Sequence, residues 1–184
     1  MDKADLQIIY NYYVSLENDF SATSRYIEPK DQENVYSFEF SKLLILSCTE
    51  IETVLKRLCE EKSGKKCRNI REYRDTITKY FPKIVDAEVS IARWGRDIRP
   101  FKGWKEKPLK WWQAYGDVKH NPGNNFKKAT YKNAVYALSA LYVLILYLAK
   151  VYNISVDMKT SYISSDYVYK YVVFDLVKPL PDFE

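Results

Sequence analysis

A chain of 184 residues with 47% apolar and 29% charged side chains has the balance of one folded globular domain, which excludes a disordered chain and most multidomain schemes. Five glycines and seven prolines punctuate it too rarely for a small β-sandwich, and a single histidine excludes multi-histidine metal sites. The net charge of +5 is uneven: residues 1–40 carry three Lys/Arg against eight Asp/Glu, whereas residues 41–150 hold 23 basic against 11 acidic side chains. Such a basic centre suits a polyanionic partner, or else solvated helix faces partly neutralised by an acidic N-terminal helix.

In chain order, Leu6, Ile9, Tyr13, Leu16 and Phe20 recur at helical spacing and predict a first helix over about 4–24, capped by Asp2 or Asp5. Phe40, Leu43, Leu44, Ser47, Ile51, Leu55 and Leu58 predict a second over about 35–61, broken by SGKK at 63–66. Ile70, Tyr73, Ile77 and Tyr80 share a face in a third, about 70–80, which Pro82 ends. Residues 81–108 lose this periodicity and predict an irregular excursion, with a short strand around Ala87 to Ala92. Pro108 suits the first turn of a fourth helix that runs to NPGNN at 121–125. The last and most apolar helix is predicted from near Phe126, capped by Asn124 or Asn125, to about Tyr152.

Within that helix, Ala134 to Ala149 is almost wholly apolar, but a membrane span needs about 20 such residues, so a buried bundle helix is the better reading. Tyr162 to Phe174 alternates and is rich in β-formers, predicting a short strand or hairpin before a frayed KPLPDFE tail. The expectation is an all-α fold: one domain over 1–184, an antiparallel bundle of about five helices with its core at 4–152 and an extension at 153–184. Cys48, Cys59 and Cys67 form no CxxC pair and MDKADLQ is too polar for a signal peptide, which points to reduced thiols in a cytoplasmic protein.

The densest chemical signal lies at 93–112. All four tryptophans, Trp94, Trp104, Trp111 and Trp112, are interleaved there with Arg93, Arg96, Arg99, Lys102, Lys105, Lys107 and Lys110. Aromatics stack unpaired bases while Arg and Lys hold phosphates, which suits single-stranded nucleic acid. Alternatively the tryptophans give an irregular segment a small core of its own. Trp112 and Tyr115, three apart, are expected to face inward, leaving Trp111 exposed. Arg93, Arg96, Arg99, Trp104, Trp111 and Tyr115 are the candidate ligand-binding residues.

His120, at the end of the fourth helix, is the candidate catalytic residue, with Lys119 and Asn121 beside it. It could take a proton from a ribose 2′-hydroxyl or protonate a leaving oxygen if a cation stabilised the phosphate; it could equally do no more than satisfy the turn. SGKK lacks the glycine spacing of a phosphate loop, and three scattered cysteines with one histidine make no zinc cluster. No cofactor and no metal is expected.

The strings YSFEFSKLLILSCTEIETVLKRL (36–58), FKGWKEKPLKWWQAYGDVKHN (101–121) and FKKATYKNAVYALSALYVLILYL (126–148) resemble a bacterial branch of the HEPN superfamily, the higher-eukaryote and prokaryote nucleotide-binding helical domains. The most specific part is WW-x-x-Y-x-x-VKHN leading into an A-T-x-x-N helix. The resemblance implies a helical bundle, a homodimer, and either a metal-independent ribonuclease or a related binding module of phage-defence and toxin–antitoxin systems. The implied partners are RNA, a nucleotide, or a protein such as a nucleotidyltransferase antitoxin.

The family signature is an Arg, then four to six residues, then a His. Here Gln113, Ala114, Tyr115 and Gly116 stand in that region and none is basic, while Pro122 follows His120–Asn121 where relatives carry a basic residue. Catalysis would need a cation from elsewhere, with Lys119, Arg96 or Arg99 as options. The expectation is therefore a binding module with weak or absent ribonuclease activity, the alternatives being a ribonuclease using His120 or a helical interaction protein with no nucleic-acid role.

Overall fold

A computed structural model describes residues 1–28, 30–91, 94–154, 174–176 and 180–183, and the apolar stripes become helices in it. The first, α1 (Lys3–Thr23), opens with a reciprocal capping box: Asp2 accepts the Asp5 amide at 2.9 Å and Asp5 reaches back to the Asp2 amide. Helix α2 (Phe38–Ser63) begins later than its periodicity predicts. Tyr36 is drawn into an antiparallel bridge with Thr130, and Ser37 then caps the helix by accepting the Phe40 amide at 3.1 Å. Gly64, at φ 65°, closes α2 in the left-handed conformation. Helix α3 (Ile70–Tyr80) matches its predicted span, with Asn69 as cap.

Helix α4 (Lys110–His120) starts two residues after Pro108, which therefore precedes the helix instead of opening it. The predicted start of the last helix near Phe126 is corrected. NPGNN does not cap it but folds into a one-turn helix, α5 (Pro122–Asn125), followed by a 3₁₀ turn at Phe126–Lys128. Asn125 donates to the Asp117 and Asn121 carbonyls and so closes α4 instead. The cap of α6 (Tyr131–Val151) is Thr130, which accepts the Asn133 amide at 3.2 Å.

Helix α6 is the centre of the bundle. It packs most extensively on α2 and also on α1 and α4, and Leu138, Leu141 and Leu148 are wholly buried. At 21 residues it is long and apolar enough to cross a membrane by length and composition, but 78% of its most apolar stretch is buried inside the bundle, the position of a core helix. The Ser47 and Ser139 hydroxyls, on α2 and α6, are buried with no partner among the described residues.

The excursion holds a hairpin where one strand was predicted. Strand β1 (Val89–Ile91) pairs antiparallel with β2 (Arg96–Ile98), Val89 opposite Ile98, through a turn in which Gly95 takes φ 64°. On its other edge β1 pairs antiparallel with β3 (Phe174–Leu176), at the end of the predicted Tyr162–Phe174 strand; the remainder of that segment lies outside the described residues. The tail is not frayed at 180–183. Leu180 is buried, and Asp182 accepts hydrogen bonds from the Tyr147 hydroxyl and the Lys83 amide, each at 3.0 Å. Phe183 packs against Phe81 and Tyr147. Cys48, Cys59 and Cys67 are free thiols and buried.

Leu141→Ala, in the fully buried face of α6, should lower stability by about 2–5 kcal/mol, measured as the shift in the urea unfolding midpoint. A loss well under about 1 kcal/mol would place that side chain at the surface.

Candidate functional site: a basic cavity at one end of helix α4

The tryptophans of the excursion are its anchors. Trp104 is 1% exposed and stacks against Phe101, itself 1% exposed. Trp111, expected at the surface, is instead 3% exposed, and its indole N–H donates to the Pro100 carbonyl at 2.9 Å. The inward stripe of α4 is Trp111, Ala114, Tyr115 and Val118, the spacing of one helix face, and Trp112 is the half-buried ring. Trp94 meets Tyr131 edge to face at 5.6 Å. Neither Trp104 nor Trp111 has a face free to stack a base.

With the rings inside, the basic side chains are turned outward. Residues 99–107 form successive turns, closed by bonds from Lys102 N to the Arg99 carbonyl, Trp104 N to that of Phe101 and Lys107 N to that of Gly103. Gly103 is required in this loop: at φ 77° it leaves room for the Lys107 stem, whose Cε lies 2.9 Å from where a β-carbon would stand. The loop, the start of α4 and the start of α6 enclose a cavity of about 690 Å³. Arg99, Lys102, Lys107, Lys110 and Lys132 line it together with Glu88 and Asp97, and Leu109, Pro108 and Tyr136 supply apolar wall. The first turn of α4 opens here with no side-chain cap and no acidic residue, so its free amides add positive potential.

Two of the five cations are already answered. Arg99 pairs with Glu88 at 3.2 Å and Lys132 with Glu33 at 2.7 Å. Lys102, Lys107 and Lys110 are exposed and make no ion pair among the described residues. Arg96 lies beside the cavity, its guanidinium 3.7 Å over the Trp94 ring and 2.6 Å from Glu33. The hydrogen bond from Lys132, reinforced by the charges of Lys132 and Arg96, holds the Glu33 carboxyl below its usual range against the opposing effect of burial. Arg93 lies outside the described residues.

The His120 end is a different place. Ten residues of helix put it about 15 Å along α4 from Lys110. His120 is exposed and makes no side-chain hydrogen bond among the described residues. Lys119 turns away from it: its Nζ donates to the Tyr115 hydroxyl at 2.7 Å, and that hydroxyl donates to Glu52 at 3.1 Å. Burial pushes the Tyr115 phenol up, and the bond to Tyr115 raises Lys119. The Asn121 side chain accepts the Asn124 amide and caps α5. Arg96 and Arg99, each held by a carboxylate, make no polar contact with His120 among the described residues.

The segment singled out from the sequence contributes to the lining of this cavity, but through Arg99, Lys102, Lys107, Lys110 and one edge of Trp111 and not through Trp104 or Tyr115. Lys132 and Tyr136 were missed because they reach the cavity from α6, beyond any local pattern. Compared with known proteins, the chain matches no family model, no curated protein and no solved structure.

The Glu33 contribution has a definite sign with pH. A carboxylate whose folded value is lowered stabilises the fold above its unfolded value of about 4.3, and that contribution is lost as pH falls through the folded value. Glu33→Gln should therefore unfold at lower urea than the parent at pH 7, with the two midpoints converging as pH falls to about 3; a gap constant across that range would show that the ion pairs are not its source.

Proposed function

We propose that this chain is a HEPN-like helical binding module that holds a phosphate-bearing ligand, RNA or a nucleotide, in the basic cavity at the start of α4. The observation that carries this reading is the set of three unpaired lysines, Lys102, Lys107 and Lys110, around one cavity of about 690 Å³. Pockets of this size accept nucleotide-sized ligands, and ammonium groups with no carboxylate partner are ready to release counterions to a phosphate. The reading differs from base stacking on tryptophan, since those rings are spent on anchoring the loop.

Catalysis at His120 is weak or absent in this proposal. The family Arg is missing from 113–116, Lys119 is engaged by Tyr115, and Arg96 and Arg99 are engaged by carboxylates. A barrier without guanidinium stabilisation of the phosphate is higher by about 2–4 kcal/mol.

Fluorescence anisotropy with a short single-stranded RNA across a salt series tests both parts. Lys102→Gln, Lys107→Gln and Lys110→Gln together should flatten the plot of log affinity against log salt by about 2, while replacing Arg96 and Arg99 should flatten it less. Gel analysis of the same samples in chelator should show intact RNA. An unchanged slope in the lysine variant would remove the cavity from the binding site, and cleavage abolished by His120→Ala would overturn the non-catalytic assignment.

One observation favours self-association as well. Phe38 is 83% exposed and stacks on Phe126 at 4.6 Å, with Tyr36 edge-on to the same ring at 5.5 Å, an aromatic patch of the kind interfaces use. Glu39 and Lys128, its neighbours in the chain, are already paired with Lys42 at 2.6 Å and Asp117 at 2.7 Å, so two copies would associate through the rings. Sedimentation velocity should show a dimer that Phe38→Asp converts to monomer; a parent chain that stays monomeric at high concentration would refute this.

A further inference from the structure

Resting on the cavity reading above, we infer that the cavity recognises a terminal phosphate monoester, the phosphorylated end of an RNA strand or a mononucleotide, in preference to the diesters within a strand. The charge arrangement is concentrated. Arg99 and Lys132 are each held by a carboxylate, Glu88 and Glu33, which leaves Lys102, Lys107 and Lys110, three side chains of one short segment lining one cavity, with no ion pair among the described residues. A groove that follows a strand spreads its cations along a path; here they line a single cavity.

The segment that presents them is held in shape before any ligand arrives. Its turns are closed by backbone hydrogen bonds, Phe101 and Trp104 are buried beneath it, Trp111 ties it to α4 through the Pro100 carbonyl, and the Lys107 stem lies over Gly103. The backbone that carries the lysines is thereby fixed, so binding has to order only their side-chain stems. A phosphate monoester carries close to two negative charges and three acceptor oxygens, whereas an internal diester carries one charge and two free oxygens. Three ammonium donors match the first. Asp97 would repel a second phosphate but can accept hydrogen bonds from the hydroxyls of the terminal sugar, and Tyr136 and Leu109 offer that sugar an apolar wall.

The test compares four short RNAs of one sequence, with a 5′-phosphate, a 3′-phosphate, both or neither, by fluorescence anisotropy, with a nucleoside 5′-monophosphate and its nucleoside as competitors. The 5′- or the 3′-phosphorylated strand should bind at least about tenfold more tightly than the unphosphorylated one, the effect of one charge-assisted hydrogen bond, and the pair identifies which end is read. The monophosphate should compete and the nucleoside should not. In the folded triple Lys→Gln variant, confirmed by circular dichroism, the preference should disappear. Equal binding of all four RNAs, lost equally in that variant, would overturn terminal recognition while leaving the cavity as an RNA site. Absence of binding to any strand and to the monophosphate would overturn both readings.

Discussion

Burial of α6 against α2 is the constraint from which the other elements take their positions. A helix apolar on every face cannot leave any of them in water, because each square ångström of exposed apolar surface costs about 25 cal/mol. Helix α2 covers the largest part, α1 and α4 cover further parts, and the Tyr147 end is closed by Phe81, Phe183 and the Asp182 hydrogen bond. Tyr131, near the other end, meets Phe20, Phe40 and Trp94. The core helix thereby holds both the hairpin and the start of α4 in place, and the basic cavity is the space left where those two meet its first turns.

The excursion obeys the same logic on a smaller scale. A loop lacking helical hydrogen bonds must find order elsewhere, and this one finds it in Phe101, Trp104 and Trp111. Interleaving rings with lysines along the chain then has a geometric result: turns that draw the rings inward drive the neighbouring lysines outward. Anchoring by the rings and outward display of the charges are therefore compatible within the same sequence pattern. The rings order the segment and the charges face the cavity.

Much of this architecture was legible in the sequence, and the gaps have physical causes. Helices α1 and α3 followed their stripes closely, the first with Asp2 marking its start and the second with Pro82 beyond its end. The start of α6 was misjudged because two asparagines imitate a cap, although a proline and a glycine allow a separate turn to form there first. Strand β2 escaped notice because Arg96 and Asp97 are polar and three residues are too few to show alternation. Tyr115 faces inward as expected, but its partner on that face is Trp111 and not Trp112, and the Pro100 carbonyl that receives the Trp111 indole is a tertiary partner no local pattern announces. The same holds for the cavity, whose far wall comes from α6. Charge pairing was equally hidden: nothing near Arg96 in the chain announces Glu33.

The clasp formed by the last residues bears on how the molecule assembles. The Lys83 amide and the Asp182 carboxylate that receives it are 99 residues apart, and β1 lies between a neighbour seven residues away and one more than eighty residues away. A chain made from its N-terminus can bring α1, α2 and α6 together once residue 151 has emerged, but the outer edge of β1 and the Tyr147 hydroxyl must wait for the residues that close over them. Such long loops are slow to form. Between those two moments the molecule carries an open strand edge beside a finished bundle, the kind of surface that pairs with other chains. The three-residue length of β1 and the charged Glu88 that directly precedes it keep that edge a poor template until the chain's own β3 arrives.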